Sequence, residues 1–250
     1  MYMKRLFIVF LSVVFLVADA AGQERRPQNK PYIDLRPLHF GISVGFHVQD
    51  IELKNVGPQL VSAPDGTTST EVVVCDQDNW NPGFSVGVLA DQRLSQHFAL
   101  RVSPTMHFGS KHLVFRHLNR TDADGRIVEV SQDMKNTYLA FPVDLKFSAE
   151  RFNNYRPYMT AGVNPMVNLS SKSQDIVQLK RFDTMLEVGL GCDFYLPFFK
   201  FIPELKFSYS LVDALDRGHA DELMDQNQRV YARSVTAGHA KMVTLTLYFE

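Results

Sequence analysis

Eight stretches of this sequence alternate apolar with polar or small residues at a period of two, and that pattern removes most folds from consideration. From Leu38 to Gln49, the residues Leu38, Phe40, Ile42, Val44, Phe46 and Val48 share one parity, while His39, Gly41, Ser43, Gly45, His47 and Gln49 share the other. In a β-strand this places a greasy row on one face and small or polar groups on the opposite face. The pattern recurs at 84–91, 98–108, 139–147, 159–167, 186–194, 205–211 and 243–249. Long helical patterns are absent, and only Ala220 to Gln228, in a connection, reads as a short helix.

Alternation alone fits a soluble ligand-carrying barrel with apolar side chains inside or a membrane barrel with apolar side chains outside. The connections decide between them, because they alternate long and short along the chain, as expected when one rim faces the cell exterior and the other the periplasm. The expected fold is therefore all-β: a closed, antiparallel transmembrane β-barrel of eight strands over residues 37–250, with long outer loops and short periplasmic turns. Both termini then lie on the periplasmic side. Residues 23–36, Pro-rich and charged, form a periplasmic lead-in.

The polar parity carries Arg101, Asp144, Lys146, Glu187, Asp193, Glu204 and Lys206 in mid-strand, opposite glycines such as Gly87, Gly162, Gly189 and Gly191. Long side chains facing glycines suit a narrow, filled lumen, since about eight strands leave room for side chains and little else. The expectation is a structural charge network in one periplasmic layer, Arg101 neutralising Asp144 and Lys206 neutralising Asp193.

The start of the chain has a different character. Lys4 and Arg5 precede an apolar run from Leu6 to Val17, followed by Ala18-Asp19-Ala20-Ala21-Gly22. That order is a cleaved secretory signal over residues 1–22. The run falls short of the ~20 residues a spanning helix needs. With 26 basic against 27 acidic residues there is no electrostatic case for a nucleic-acid partner. Cys75 and Cys192 fall at opposite rims of the expected barrel and should not pair.

Several strand sequences carry a family resemblance. Pro37-Leu38-His39-Phe40-Gly41, Asn81-Pro82-Gly83-Phe84-Ser85-Val86-Gly87, Leu100-Arg101-Val102-Ser103-Pro104, Tyr138-Leu139-Ala140-Phe141-Pro142-Val143-Asp144-Leu145-Lys146-Phe147 and Pro203-Glu204-Leu205-Lys206-Phe207-Ser208-Tyr209 resemble the strand motifs of the PorT family of outer-membrane barrels in Bacteroidota. The resemblance runs from Pro37 to Phe249. It implies a non-enzymatic outer-membrane component of the type IX secretion machinery, needed for export and maturation of proteins bearing a C-terminal sorting domain. The implied partners are outer-membrane lipid and other type IX secretion proteins.

Chemistry adds nothing that competes. His39, His47 and His107 share the polar parity without a His-Glu-x-x-His or His-x-His pattern, and read as lumen hydrogen-bonders. No phosphate-cradling Gly-x-x-x-x-Gly-Lys occurs, and Gly-x-Ser-x-Gly appears only inside the alternating strand rows, at Gly41–Gly45 and Gly83–Gly87, not at the strand-to-helix elbow that exposes a nucleophile. No catalytic residue, cofactor or metal is expected. Two other classes stay open: a small porin or adhesin using its outer loops, particularly Asp50 to Pro82, and an outer-membrane lipid-modifying enzyme, against which the nearly pure Leu, Val and Phe of the lipid-facing parity counts.

Overall fold

The computed structural model describes residues 27–62, 68–170, 175–223 and 226–250. The expected signal segment 1–22 and the first four residues of the expected lead-in lie outside them. The strands are β1 (Leu38–Asn55), β2 (Gly57–Ser62), β3 (Thr68–Gln77), β4 (Asn81–Arg93), β5 (Phe98–Val102), β6 (Thr105–Thr121), β7 (Ile127–Ala140), β8 (Val143–Ser148), β9 (Tyr155–Asn168), β10 (Phe182–Tyr195), β11 (Lys200–Ser210) and β12 (Val235–Phe249). Two short helices, α1 (His219–Glu222) and α2 (Gln226–Ala232), interrupt the connection before β12, close to the helix expected at 220–228.

These strands build eight staves. β3 and β4 follow one another along β6, β5 and β6 follow one another along β4, and β7 and β8 do so along β9. β1 pairs with β4 on one side and β12 on the other, while β9–β10, β10–β11 and β11–β12 complete the ring. Every ladder is antiparallel and the barrel closes. Two of the three broken staves break at Pro104 and beside Pro142, residues with no N–H to give to a ladder. Bonds from Val88 N–H to the Pro104 carbonyl (3.0 Å) and from Ser103 N–H to the Pro142 carbonyl (3.2 Å) carry the wall across the gaps.

The barrel is inside-out. Ile42 and Leu190, on the apolar parity, are each 63% exposed, whereas Arg101 and Asp144, on the polar parity, are 0% exposed. Such a wall suits hydrocarbon, where the backbone is satisfied by the closed ladder and only apolar side chains face out.

Above this band the apolar parity inverts. Phe46 faces out, but Ile51 on the same strand faces in; Met106 and Phe108 lie on the opposite parity from the inward Leu113 and Phe115 of β6. Ile51, Val73, Cys75, Leu113, Phe115, Met134, Val177, Leu179, Ala214, Leu215 and Val235 form one buried cluster inside the outer end, with Tyr231 of α2 against it. Beyond the bilayer the surroundings are water, so the staves bury their apolar face inward as a soluble protein does. This corrects the expected long loops. Much of Asp50 to Pro82, and most of the chain between Phe108 and Leu139, is strand, because the wall continues past the membrane with its pattern reversed. The β2–β3 hairpin extends it further.

Candidate functional site

The lumen is occupied by a connected network of ionic side chains in the half nearer His39 and Glu250. Arg101 grips Asp91 with two bonds, Nε to Oδ1 at 2.7 Å and Nη2 to Oδ2 at 2.8 Å, and reaches Glu204 Oε2 at 2.6 Å. Tyr158 donates its hydroxyl to the same Glu204 oxygen at 2.7 Å. The guanidinium also stacks between Tyr158 and Tyr248, 5.1 and 4.9 Å from their ring centres. Lys206 Nζ bonds Asp144 and Glu187, both at 2.7 Å, and lies 3.4 Å from Glu204. Glu187 is held in turn by Asn164 at 3.1 Å.

Towards the mouth, Lys146 contacts both oxygens of Asp193 at 2.9 Å and approaches Asp91 at 3.7 Å. Lys200 joins Asp193 (3.5 Å) to Glu250 (2.8 Å), and Glu250 pairs with His39 at 2.5 Å. Both ends of the barrel chain thus meet at one rim. A carboxylate this deep is tolerated only with charged and hydrogen-bonding partners on its oxygens.

All seven charges read from the sequence, Arg101, Asp144, Lys146, Glu187, Asp193, Glu204 and Lys206, are buried in this network. Their pairing differs from the expectation. Arg101 and Asp144 are opposite one another in register, yet Arg101 takes Asp91 and Glu204 while Asp144 takes Lys206. Asp193 takes Lys146 and Lys200 instead of Lys206. Register sets where a Cα sits, and side chains of this length cross the lumen to more distant staves. Asp91, Lys200 and Glu250 were missed. Asp91 lies on the polar parity of its strand, and the β11 alternation, extended back from Glu204, leads to Lys200, which lies before the row at 205–211.

Glycines make the room. A Cβ on Gly191 would strike the Tyr158 ring, and one on Gly162 would strike Asp144 Oδ1 and the Val143 carbonyl. Further out, His47 and His107 pack edge to face at 5.2 Å, and Lys111 Nζ bonds Gln49 Oε1 at 3.1 Å and Tyr138 Oη at 3.3 Å. The apolar outer cluster closes the far end. Among the described residues no three His, Cys, Asp or Glu side chains converge as a metal site.

Residues 27–36 lie across the mouth at the rim where His39 and Glu250 meet. Asn29 N–H donates to Asn154 Oδ1 at 2.8 Å, and its side-chain amide donates to the Tyr195 carbonyl at 2.9 Å. The Tyr195 hydroxyl donates to Asp34 at 2.7 Å, and Arg151 donates to the Asn29 and Lys30 carbonyls while stacking on Tyr195 at 3.6 Å. A 3-10 turn at Ile33–Leu35 ends this strap.

Three solved structures are similar in outline. The outer membrane protein OprG from Pseudomonas aeruginosa shares 12% identity over 84% of this chain and 91% of its own, with a TM-score of 0.43. Neisserial surface protein A shares 9% over 85% and 98%, with 0.41. The attachment invasion locus protein Ail of Yersinia pestis, solved with the heparin analogue sucrose octasulfate, shares 13% over 84% and 96%, with 0.34. No curated protein sequence matches the chain. The family model described as outer membrane protein beta-barrel domain matches residues 21–216. With its inside-out closed wall and that match over most of its length, this chain belongs to the outer membrane protein beta-barrel domain family.

Proposed function

We propose that this protein is a non-enzymatic outer-membrane component that acts by contact, supporting assembly of the type IX translocon rather than carrying cargo through its own lumen. The observation behind the contact mechanism is the doubly filled interior, ionic below and apolar above. An eight-staved barrel whose interior is taken up by its own side chains has no bore for a polypeptide. The secretion assignment rests on the strand motifs from Pro37 to Tyr209. Catalysis is disfavoured by the outward wall, where Ile42, Val44, Phe46, Val188 and Leu190 offer neither nucleophile nor base. A second reading, a surface-binding protein of adhesin type, is favoured by the sheet β2–β3–β6–β7, which carries the wall beyond the membrane.

Deletion in the native organism separates these readings. The expected result is that proteins with C-terminal sorting domains accumulate unprocessed inside the cell, and that the full-length chain restores their export. Normal export in the deletion strain contradicts the secretion role and leaves the surface-binding reading.

A further inference from the structure

Among the described residues, the sheet above the membrane has a long unpaired edge. β7 pairs with β6 along its length, but with β9 only through Tyr138, Leu139 and Ala140. Just beyond that ladder the Thr137 carbonyl accepts the Leu169 N–H at 2.8 Å, so the Thr137 backbone faces away from β6. Backbone direction alternates along a strand, so the N–H and C=O groups of Glu129, Ser131, Asp133 and Lys135 face the same way. Among the described residues these groups have no partner on that side. A second edge, β2, has six residues and includes Pro58, both features that blunt an edge. β7 has fourteen residues and neither Pro nor Gly.

We infer that the outer part of β7 is a docking edge for an extended polypeptide segment of another protein at the cell surface, which adds as a further strand. The backbone groups supply the affinity, and alternate side chains supply the selectivity. A residue on the outer face of the incoming strand meets Glu129 and Asp133, whose side chains are 54% and 81% exposed and whose partners are Arg116 and His112. Basic residues fit there. A residue on the inner face meets the half-buried Val128 and Val130, where small apolar side chains fit. A second copy in the same membrane is a poor occupant, because a two-fold axis along the membrane normal sets each N–H against its own symmetry mate. The inference is independent of the secretion reading.

Two measurements on the full-length protein test it. Amide exchange of the purified barrel should be fast at Glu129, Ser131 and Asp133 and slow at Val130 and Gln132, which bond to β6; slow exchange at all five would show that the protein covers its own edge and would overturn the inference. In native outer membranes, a benzoylphenylalanine at Lys135 should give a discrete crosslinked adduct, lost in Ser131→Pro and kept in Ser131→Ala, since only proline removes the edge N–H. Glu129→Pro provides the same test should Ser131→Pro fail to show the heat-modifiable band of a folded barrel. An adduct indifferent to a folded proline variant, or no adduct at all, refutes the docking edge.

Discussion

Arg101 is buried between two carboxylates and two tyrosines, so truncating it strands charge that water cannot reach. Arg101→Ala should lower the unfolding free energy by about 3–5 kcal/mol, the range for breaking a buried pair from one side. In the background of Asp91→Ala the same change should cost at least about 1 kcal/mol less, because one of the stranded carboxylates is gone. Additive values for that pair, measured by urea titration in lipid vesicles, would contradict the network as drawn. Alternation exposed which residues point inward, hence the seven buried charges, but said nothing of partner choice. That choice depends on side-chain reach across a closed lumen, a distance that appears only once the ring has closed. Asp91 and Lys200 show the same limit, since one stands at the end of a readable row and the other before the start of one.

At the scale of the strand, the wall obeys two opposite rules along one stave. Within the membrane band Val143 faces out, and Val143→Arg should cost about 2–4 kcal/mol if it lies near the midplane. Above the band Leu113 faces in, and Leu113→Ala should cost about 2–5 kcal/mol through the cavity it leaves, without impairing membrane insertion. Heat-modifiability of the band reads insertion, and proteolysis of the outer end reads the plug. The eight staves were legible because hydrocarbon outside and polar groups inside give alternation a single sense. The outer extensions were not, because Ile51 and Phe115 continue the strand with the sense reversed. Asp213 ties the outer connection to β12. Burial alone would raise its carboxyl, but the N–H groups of Gly238 and Leu215 and the Arg217 guanidinium hold it below the ordinary aspartate value of 3.8. A depressed folded value stabilises above the ordinary value and is lost as pH falls through it. The outer connection should therefore become protease-sensitive on acidification below 3.8, and Asp213→Asn should loosen it at neutral pH.

For the molecule as a whole, the strap from Pro27 to Arg36, the ionic network and the apolar outer cluster lie one above another along a single axis. A barrel filled over that depth has only its surfaces with which to act on a partner: the strapped mouth, the lipid-facing wall and the outer sheet. The claim on which this rests is that the lumen is closed, and ion conductance of the purified full-length protein in a planar lipid bilayer tests it most directly. The account predicts no steady conductance step for the wild type at either polarity. Stable, reproducible open-channel currents from the folded wild-type barrel would contradict it.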